Sequence, residues 1–350
     1  MKYLFIGLGG IGQRHLRNLK SICSENDEFY AYRVRREQFV LNNRLQIEEN
    51  ENLEKKYNLK VFDDLEKALE IHPDIVFVCN PTSLHMDVML KIAENGCHFF
   101  VEKPLSNNME KMDLLQDYIR NKNLITYVGY QQRYNPCVIK AKEVLASGEL
   151  GDILSVNAEI GECIKNWHKY EDYRRMYAAR KELGGGVVLS QIHELDYLYY
   201  FFGMPVSAYA VGGQISDLEV DVEDVADILL KYQMGDRYFP VHIHEDYIQT
   251  PASRTCKIIG NRGRIEFDLI EAKFVQYDKT GNCVYKEEYN FERNDMFVNE
   301  MKSFLESVKN KKESKLPVDV GIYSLKMAMG ILDSLDTGEV IFFDQNINKN

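Results

Sequence analysis

Through the first third of the chain, short apolar runs alternate with longer segments whose apolar positions recur at helical spacing. KYLFIGL reads as a buried strand, and IGQRHLRNLKSI directly after it as a helix. EFYAYRV is a second strand, and DDLEKALEI a helix that starts on an aspartate. DIVFVCN gives a third strand, SLHMDVMLKIAENG a helix that stops at glycine, HFFVEKP a fourth strand, and ITYVGYQ a fifth or sixth. Strands separated by helices need crossover connections, so residues 1–125 are predicted to form an α/β, doubly wound parallel sheet.

From about residue 150 the pattern changes. ILSVNAEIGE, SAYAVGGQIS, VADILLKYQ, YFPVHIHEDY, RTCKIIGNRGRIEFDLI and KFVQYDKTGNCVYKEEY are strand-like runs parted by glycine or charged turns. KTGN is a hairpin signal. Successive strands without intervening helices predict a large, mostly antiparallel open sheet. Two amphipathic helices, NDMFVNEMKSFLESVKN and VGIYSLKMAMGILDSL, close the chain with LPVD between them, so 126–350 is expected to be an α+β domain. A further helix is predicted from near Gly186, with Val188, Ile192, Leu195, Tyr199 and Phe202 as its core stripe. His193 lies beside that stripe, on a face with Ser190 and Tyr197.

At 350 residues with net charge −11, the chain fits two domains and argues against nucleic acid as its partner. Seven cysteines, none in a C-x-x-C pair, read as reduced thiols. MKYLFIGLGGIG has no small-residue cleavage site, and no apolar run approaches a membrane span. A cytoplasmic protein with neither a nucleic-acid nor a membrane partner is expected.

Gly7, Gly9 and Gly12 form G-x-G-x-x-G between the first strand and the first helix, with Gly10 and Ile11 inside the turn. Glycines there allow a tight turn, close approach of backbone to a pyrophosphate, and packing of helix on strand. NAD(P) is therefore expected. Arg33, at the end of the second strand, with Arg35 and Arg36 just beyond, suits a 2′-phosphate and favours NADP over NAD. A solvated loop, or Arg33 stacked on adenine in either cofactor, is the alternative.

GLGGIGQRH, CNPTSLHMDVMLKIAENGCHFFVEKPLS, QQRYNP and VGIYSLKMAMGILDSLDTGEVI together resemble the Gfo/Idh/MocA (glucose-fructose oxidoreductase, inositol dehydrogenase, MocA) family over nearly the whole chain. The resemblance implies a Rossmann domain joined to an open antiparallel sheet, action on sugars or cyclitols, and a homodimer or homotetramer. It places Lys103 beside the nicotinamide and substrate hydroxyl, between Glu102 and Pro104, with a frequent cis bond at that proline. It assigns Asn80, Pro81, Thr82 and His85 to the nicotinamide loop, and Arg133, Tyr134 and Asn135 to the cleft. His193 matches the family's catalytic histidine. The family's aspartate, three or four residues earlier, is replaced by Leu189 and Ser190, and Ser190 becomes either a substrate contact or a helix cap.

In IKNWHKYEDYRRMYAARKELGGG, aromatic and basic residues interleave. Trp167 suits the face of a sugar ring and Arg174 a phosphate, which points to a sugar phosphate or nucleotide sugar; packing on a neighbouring subunit is the other reading. His242 and His244 share a strand face, but no third ligand is evident and no metal is expected. The resulting expectation is an NAD(P)-dependent oxidoreductase moving a hydride between nicotinamide C4 and a sugar carbinol carbon. In it, His193 takes the hydroxyl proton and Lys103 stabilises the oxygen. The rivals are a reductase of a bilin or imine, and a cofactor-binding regulator without catalysis, which the absent aspartate keeps open.

Overall fold

The computed structural model describes residues 1–34 and 39–344. Among them, six strands form a parallel sheet in the order Lys60–Phe62, Glu28–Tyr32, Lys2–Ile6, Ile75–Val78, His98–Val101, Thr126–Val128. Leu4, Phe5, Val76, Phe77, Phe99 and Phe100 are wholly buried, because helices cover both faces. That burial explains why these strands are continuously apolar rather than alternating. The chain runs outward through the first three strands and returns to Ile75 beside Lys2–Ile6. The direction of winding therefore reverses between Lys2–Ile6 and Ile75–Val78, where such sheets bind ligands.

Several local features escaped the sequence pattern, among them the helices Leu53–Tyr57 and Met112–Lys122 and the strand pair Val40–Leu41 with Ile47–Glu48. Lys60–Phe62 is a three-residue edge strand, too short to show a period. The helix on DDLEKALEI is only Leu65–Leu69, with the Asp64 carboxylate accepting from the Lys67 N–H at 3.0 Å as its cap.

The second sheet has nine strands in the order Cys283–Glu288, Lys273–Asp278, Gly263–Asp268, Ser253–Gly260, Ile153–Gly161, Arg237–Asp246, Val225–Met234, Ser207–Gly213, Ile341–Phe342. All pairings are antiparallel except Arg237–Asp246 with Ile153–Gly161. Ile228, Leu230, Tyr232, Val241, Ile243 and Ile258 point to a buried face, while Leu229 and His242 alternate with them on an open one. KTGN is the expected hairpin turn, with the Asp278 carboxylate accepting from the N–H groups of Thr280 and Asn282 at 2.8 and 3.0 Å.

The helix Arg293–Asn310 returns to the parallel sheet. Its Phe304 meets Phe77, Phe100 and Tyr127 with ring centroids 6.3, 6.0 and 5.7 Å apart. The helix Val318–Thr337 covers the nine-stranded sheet, and the Thr126 hydroxyl accepts from its first N–H, on Val318, at 3.0 Å. The single helix expected from Gly186 is instead two, Val187–Ser190 and His193–Phe202, broken at Gln191 and Ile192. Gln191 leaves the helical path to donate its amide to the Asp246 carbonyl at 3.0 Å. The break makes His193 the opening residue of the second helix.

Candidate active site

At the reversal point the glycine loop has the geometry its motif requires. Gly7 takes φ +88°, and a Cβ there would stand 2.7 Å from the Cys79 carbonyl oxygen. A Cβ on Gly12 would lie 2.3 Å from the Gly7 oxygen, so helix and strand approach through that position. Gly9 faces open space, leaving the backbone approachable. The helix Gly10–Ile22 starts here with no side-chain cap, and its first N–H groups and positive end are available to an anion. Ile11 is half-buried in the same turn. A Cβ on Gly10 would meet the Tyr170 hydroxyl at 2.6 Å, so the 164–183 arm lies directly over the loop.

The His98–Val101 strand ends in Glu102, Lys103 and Pro104, with the Lys103–Pro104 peptide cis as the resemblance implied. Glu102 is buried and lies behind the loop: its Oε1 is 2.5 Å from His15 Nε2 on the first helix, and its Oε2 accepts from the Lys103 N–H at 3.2 Å. Both bonds fix the backbone from which the Lys103 side chain departs. His85 ties two loops together, with Nδ1 3.0 Å from the Pro104 oxygen and Nε2 2.8 Å from the Asn80 oxygen. Burial outweighs those two carbonyls and lowers its pKa. Thr82 is buried beneath Gly184, where a Cβ would come within 2.9 Å of its own, and Pro81 beside it is half-buried. Asn80 Oδ1 is buried without a hydrogen-bond partner. The glycine cradle and this orphaned acceptor fit a dinucleotide with a carboxamide at its nicotinamide end.

Lys103 reaches across to the other domain, where its Nζ donates to the Ser190 carbonyl at 2.6 Å. Ser190 therefore contributes its backbone, and its hydroxyl is buried without a partner. His193 is buried, and its Nε2 accepts from the Gln131 amide nitrogen at 3.0 Å. Nδ1 has no partner. Burial holds the imidazole pKa well below its ordinary value, and the charges of Lys103, Arg254 and Arg293 add to that, so the ring is neutral. A half-buried lysine and a buried neutral imidazole, carried by different domains, thus come close through Ser190.

Other expected site residues already have partners within the protein. Arg133 forms a two-point pair with Asp196, 2.8 Å from Nε and 2.7 Å from Nη2, and stacks 4.6 Å over the Tyr200 ring, so its guanidinium is engaged by the protein itself. The Tyr134 hydroxyl meets that of Tyr127 at 2.6 Å. Asn135 caps the helix Pro136–Ser147, its Oδ1 accepting from the Cys137 N–H at 3.0 Å. Trp167 is half-buried, edge-on to Tyr247 at 5.3 Å. Arg174 is exposed and bound to Asp172 and Glu219 at 2.6 and 3.2 Å, which leaves no fork free for phosphate. Arg33 is buried with Glu54 3.7 Å away; Arg35 and Arg36 lie outside the described residues. His242 and His244 flank Asp227 at 3.0 and 3.1 Å on the open sheet face. Among the described residues no group of three His, Cys, Asp or Glu side chains could hold a metal ion.

Gln131 was missed, although it opens the QQRYNP stretch that drew attention to Arg133. Arg254 was missed as well: it binds Glu194 through Nε and Nη2 at 2.8 and 2.9 Å, and its strand gave no sign of a partner on a distant helix.

Sequence comparison matches residues 1–130 to the Gfo/Idh/MocA oxidoreductase family with an NAD-binding Rossmann fold, and residues 138–266 to the Gfo/Idh/MocA C-terminal domain. Myo-inositol 2-dehydrogenase of Thermotoga maritima is 27% identical over 348 residues, covering 96% of each chain. Among solved structures, levoglucosan dehydrogenase in complex with NADH and levoglucosan superposes with TM-score 0.81 at 16% identity, over 99% of this chain and 100% of that one. The WlbA dehydrogenase from Bordetella pertussis, with NADH and UDP-GlcNAcA, gives TM-score 0.80 at 17% identity over 98% of each. At these identities the two structures establish likeness of fold.

Proposed function

The chain belongs to the Gfo/Idh/MocA oxidoreductase family, and on that premise we propose that it moves a hydride between a nicotinamide dinucleotide and a sugar- or cyclitol-type carbinol carbon. The observation that carries this reading is the bond from Lys103 Nζ, at the end of the His98–Val101 strand, to the carbonyl of Ser190, three residues before His193, whose imidazole feels the Lys103 charge. When bound, the dinucleotide supplies the hydride acceptor or donor at C4. The Gly7–Gly12 turn and the helix behind it would hold its pyrophosphate, and Asn80 Oδ1 would be the acceptor for its carboxamide.

Lys103 orients the substrate hydroxyl and stabilises the negative charge that grows on its oxygen as hydride leaves. The proton goes to His193. With the Gln131 amide nitrogen donating to Nε2, the ring proton sits on Nδ1. Turning that amide over puts its oxygen against Nε2–H and frees the Nδ1 lone pair for the substrate proton. Gln131 thereby does by tautomer control what a carboxylate does for other histidine bases, and Ser190 need not be an acid. Glu102 is a positioning residue, acting through Lys103 and His15.

NAD(H) is the cofactor we assign. Arg33, the basis for expecting NADP, is buried with Glu54 beside it, and that carboxylate opposes a 2′-phosphate. Two structures of similar fold hold NADH, and the relatives are named for inositol and levoglucosan. The homodimer or homotetramer implied by the resemblance would use the open sheet face, where Tyr209, Leu229 and Tyr238 are exposed.

The test is turnover of a polyol panel, including myo-inositol, levoglucosan, hexoses, sugar acids and sugar phosphates, with NAD or NADP, followed by nicotinamide absorbance. We expect at least one polyol to be oxidised, with a higher kcat/KM for NAD. Nicotinamide reduction by none of them, with NADH binding intact, would remove the reading in favour of a regulator.

A further inference from the structure

The site holds more positive charge than hydride transfer uses. Arg293 opens the helix Arg293–Asn310, which is anchored on the first helix where Asn294 Nδ2 donates to Asn18 Oδ1 at 2.8 Å. One turn on, the Phe297 ring lies 4.6 Å from the Arg14 guanidinium carbon. His15, next to Arg14, meets the same ring edge-on at 6.1 Å and pairs with Glu102 beside Lys103. Arg14 and Arg293 therefore stand on the loop side of the site. Arg254 stands on the sheet side, and its charge is matched by Glu194, the residue after His193.

Arg14 and Arg293 are not matched. Among the described residues neither guanidinium has a hydrogen-bond or ion-pair partner in the structure. The acid acting on Arg293 is Glu162, exposed at the end of the Ile153–Gly161 strand and outside ion-pair distance. Arg293 is itself open to water, yet protein crowds it enough that burial, with Arg254, lowers its pKa. Arg14 is pushed down to about 10 by burial and by its neighbours Arg293 and Arg17, which together outweigh the opposing charge of Glu102. Two neighbouring guanidiniums that repel each other and lack a bonded partner favour an anion between them.

The cofactor pyrophosphate already has the glycine turn and a helix N-terminus. Arg293, by contrast, lies within electrostatic reach of His193, where the reacting hydroxyl must sit. We propose that Arg14 and Arg293 form an oxyanion subsite beside Lys103 and His193, so that the substrate is a polyol carrying a carboxylate or phosphate, such as a uronic acid or a sugar phosphate. This rests on the hydride-transfer reading and narrows it, since inositol and levoglucosan carry no such charge. It also moves phosphate recognition away from Arg174, whose fork is filled.

The experiment titrates the NADH complex of the full chain, by nicotinamide fluorescence, with D-glucuronate, glucose 6-phosphate, D-glucose and myo-inositol. It is repeated on Arg293→Ala and Arg293→Lys, and exposure of Arg293 makes both substitutions compatible with folding. One of the two acids is expected to bind about ten-fold or more tighter than its neutral counterpart, and the better one tells carboxylate from phosphate. Arg293→Ala should remove that advantage, Arg293→Lys restore part of it, and NADH affinity stay within about threefold. Equal binding of acids and neutral sugars would overturn the proposal. So would a loss of NADH affinity in Arg293→Ala, which would give the pair to the pyrophosphate. If an acid binds through Arg293 but no polyol is turned over, the subsite stands and the hydride-transfer reading falls.

Discussion

Glu300 shows how much of this molecule's chemistry depends on where a side chain is buried. It lies on the helix Arg293–Asn310, fully buried, with neither carboxylate oxygen partnered. Burial, with Glu102 nearby, raises its pKa well above 4.5. An acid whose folded pKa exceeds its unfolded one contributes stability below the unfolded value, and that contribution is lost as pH rises through the folded value. Glu300→Gln keeps the shape and removes the titration. Its denaturation midpoint should therefore gain on the wild type between pH 5 and pH 8; a difference that does not change with pH would show that Glu300 ionises freely. Residue types alone could not have identified this group. Lys103 and Arg133 were both singled out by family resemblance; Lys103 stands at a strand end with its Nζ on the Ser190 carbonyl, whereas Arg133 is paired with Asp196. A sequence shows which side chains can bind a ligand but not which have already found a partner inside the protein.

Among elements, those with long apolar periods were readable. The parallel strands, the hairpin at KTGN and the two closing helices all follow from pattern, because burial on one or two faces writes a period into the sequence. The break between Val187–Ser190 and His193–Phe202 was not readable; the residue at it, Gln191, bonds to a strand far along the chain. What holds the second helix is also non-local. The Arg133–Asp196 pair joins it to the Gln131–Tyr134 turn, with Asp196 wholly buried. Cutting a buried pair leaves a bare charge, so Arg133→Ala should lose about 3–5 kcal/mol of stability in chemical denaturation. If instead the variant kept its stability and lost only substrate affinity, Arg133 would be a ligand contact after all.

For the whole molecule, the site exists because two domains meet. The glycine turn and Lys103 come from the parallel sheet, while Ser190 and His193 come from helices on the nine-stranded sheet. The interface is made of particular contacts: Lys103 on the Ser190 carbonyl, Gly184 against Thr82, and Tyr170 over Gly10. The two-layer plan and one residue from each half could be read from the chain. The supporting Gln131, Glu102–His15 and Arg254–Glu194 contacts could not, because each joins segments remote in sequence. The central claim is that Lys103 acts on the reacting oxygen rather than on cofactor binding. It is tested most directly by Lys103→Ala, measured for NADH affinity and for kcat on the best substrate from the panel. The expected result is unchanged NADH binding with kcat lowered about 10²–10³-fold or more. A Lys103→Ala protein that turns over at the wild-type rate would contradict it.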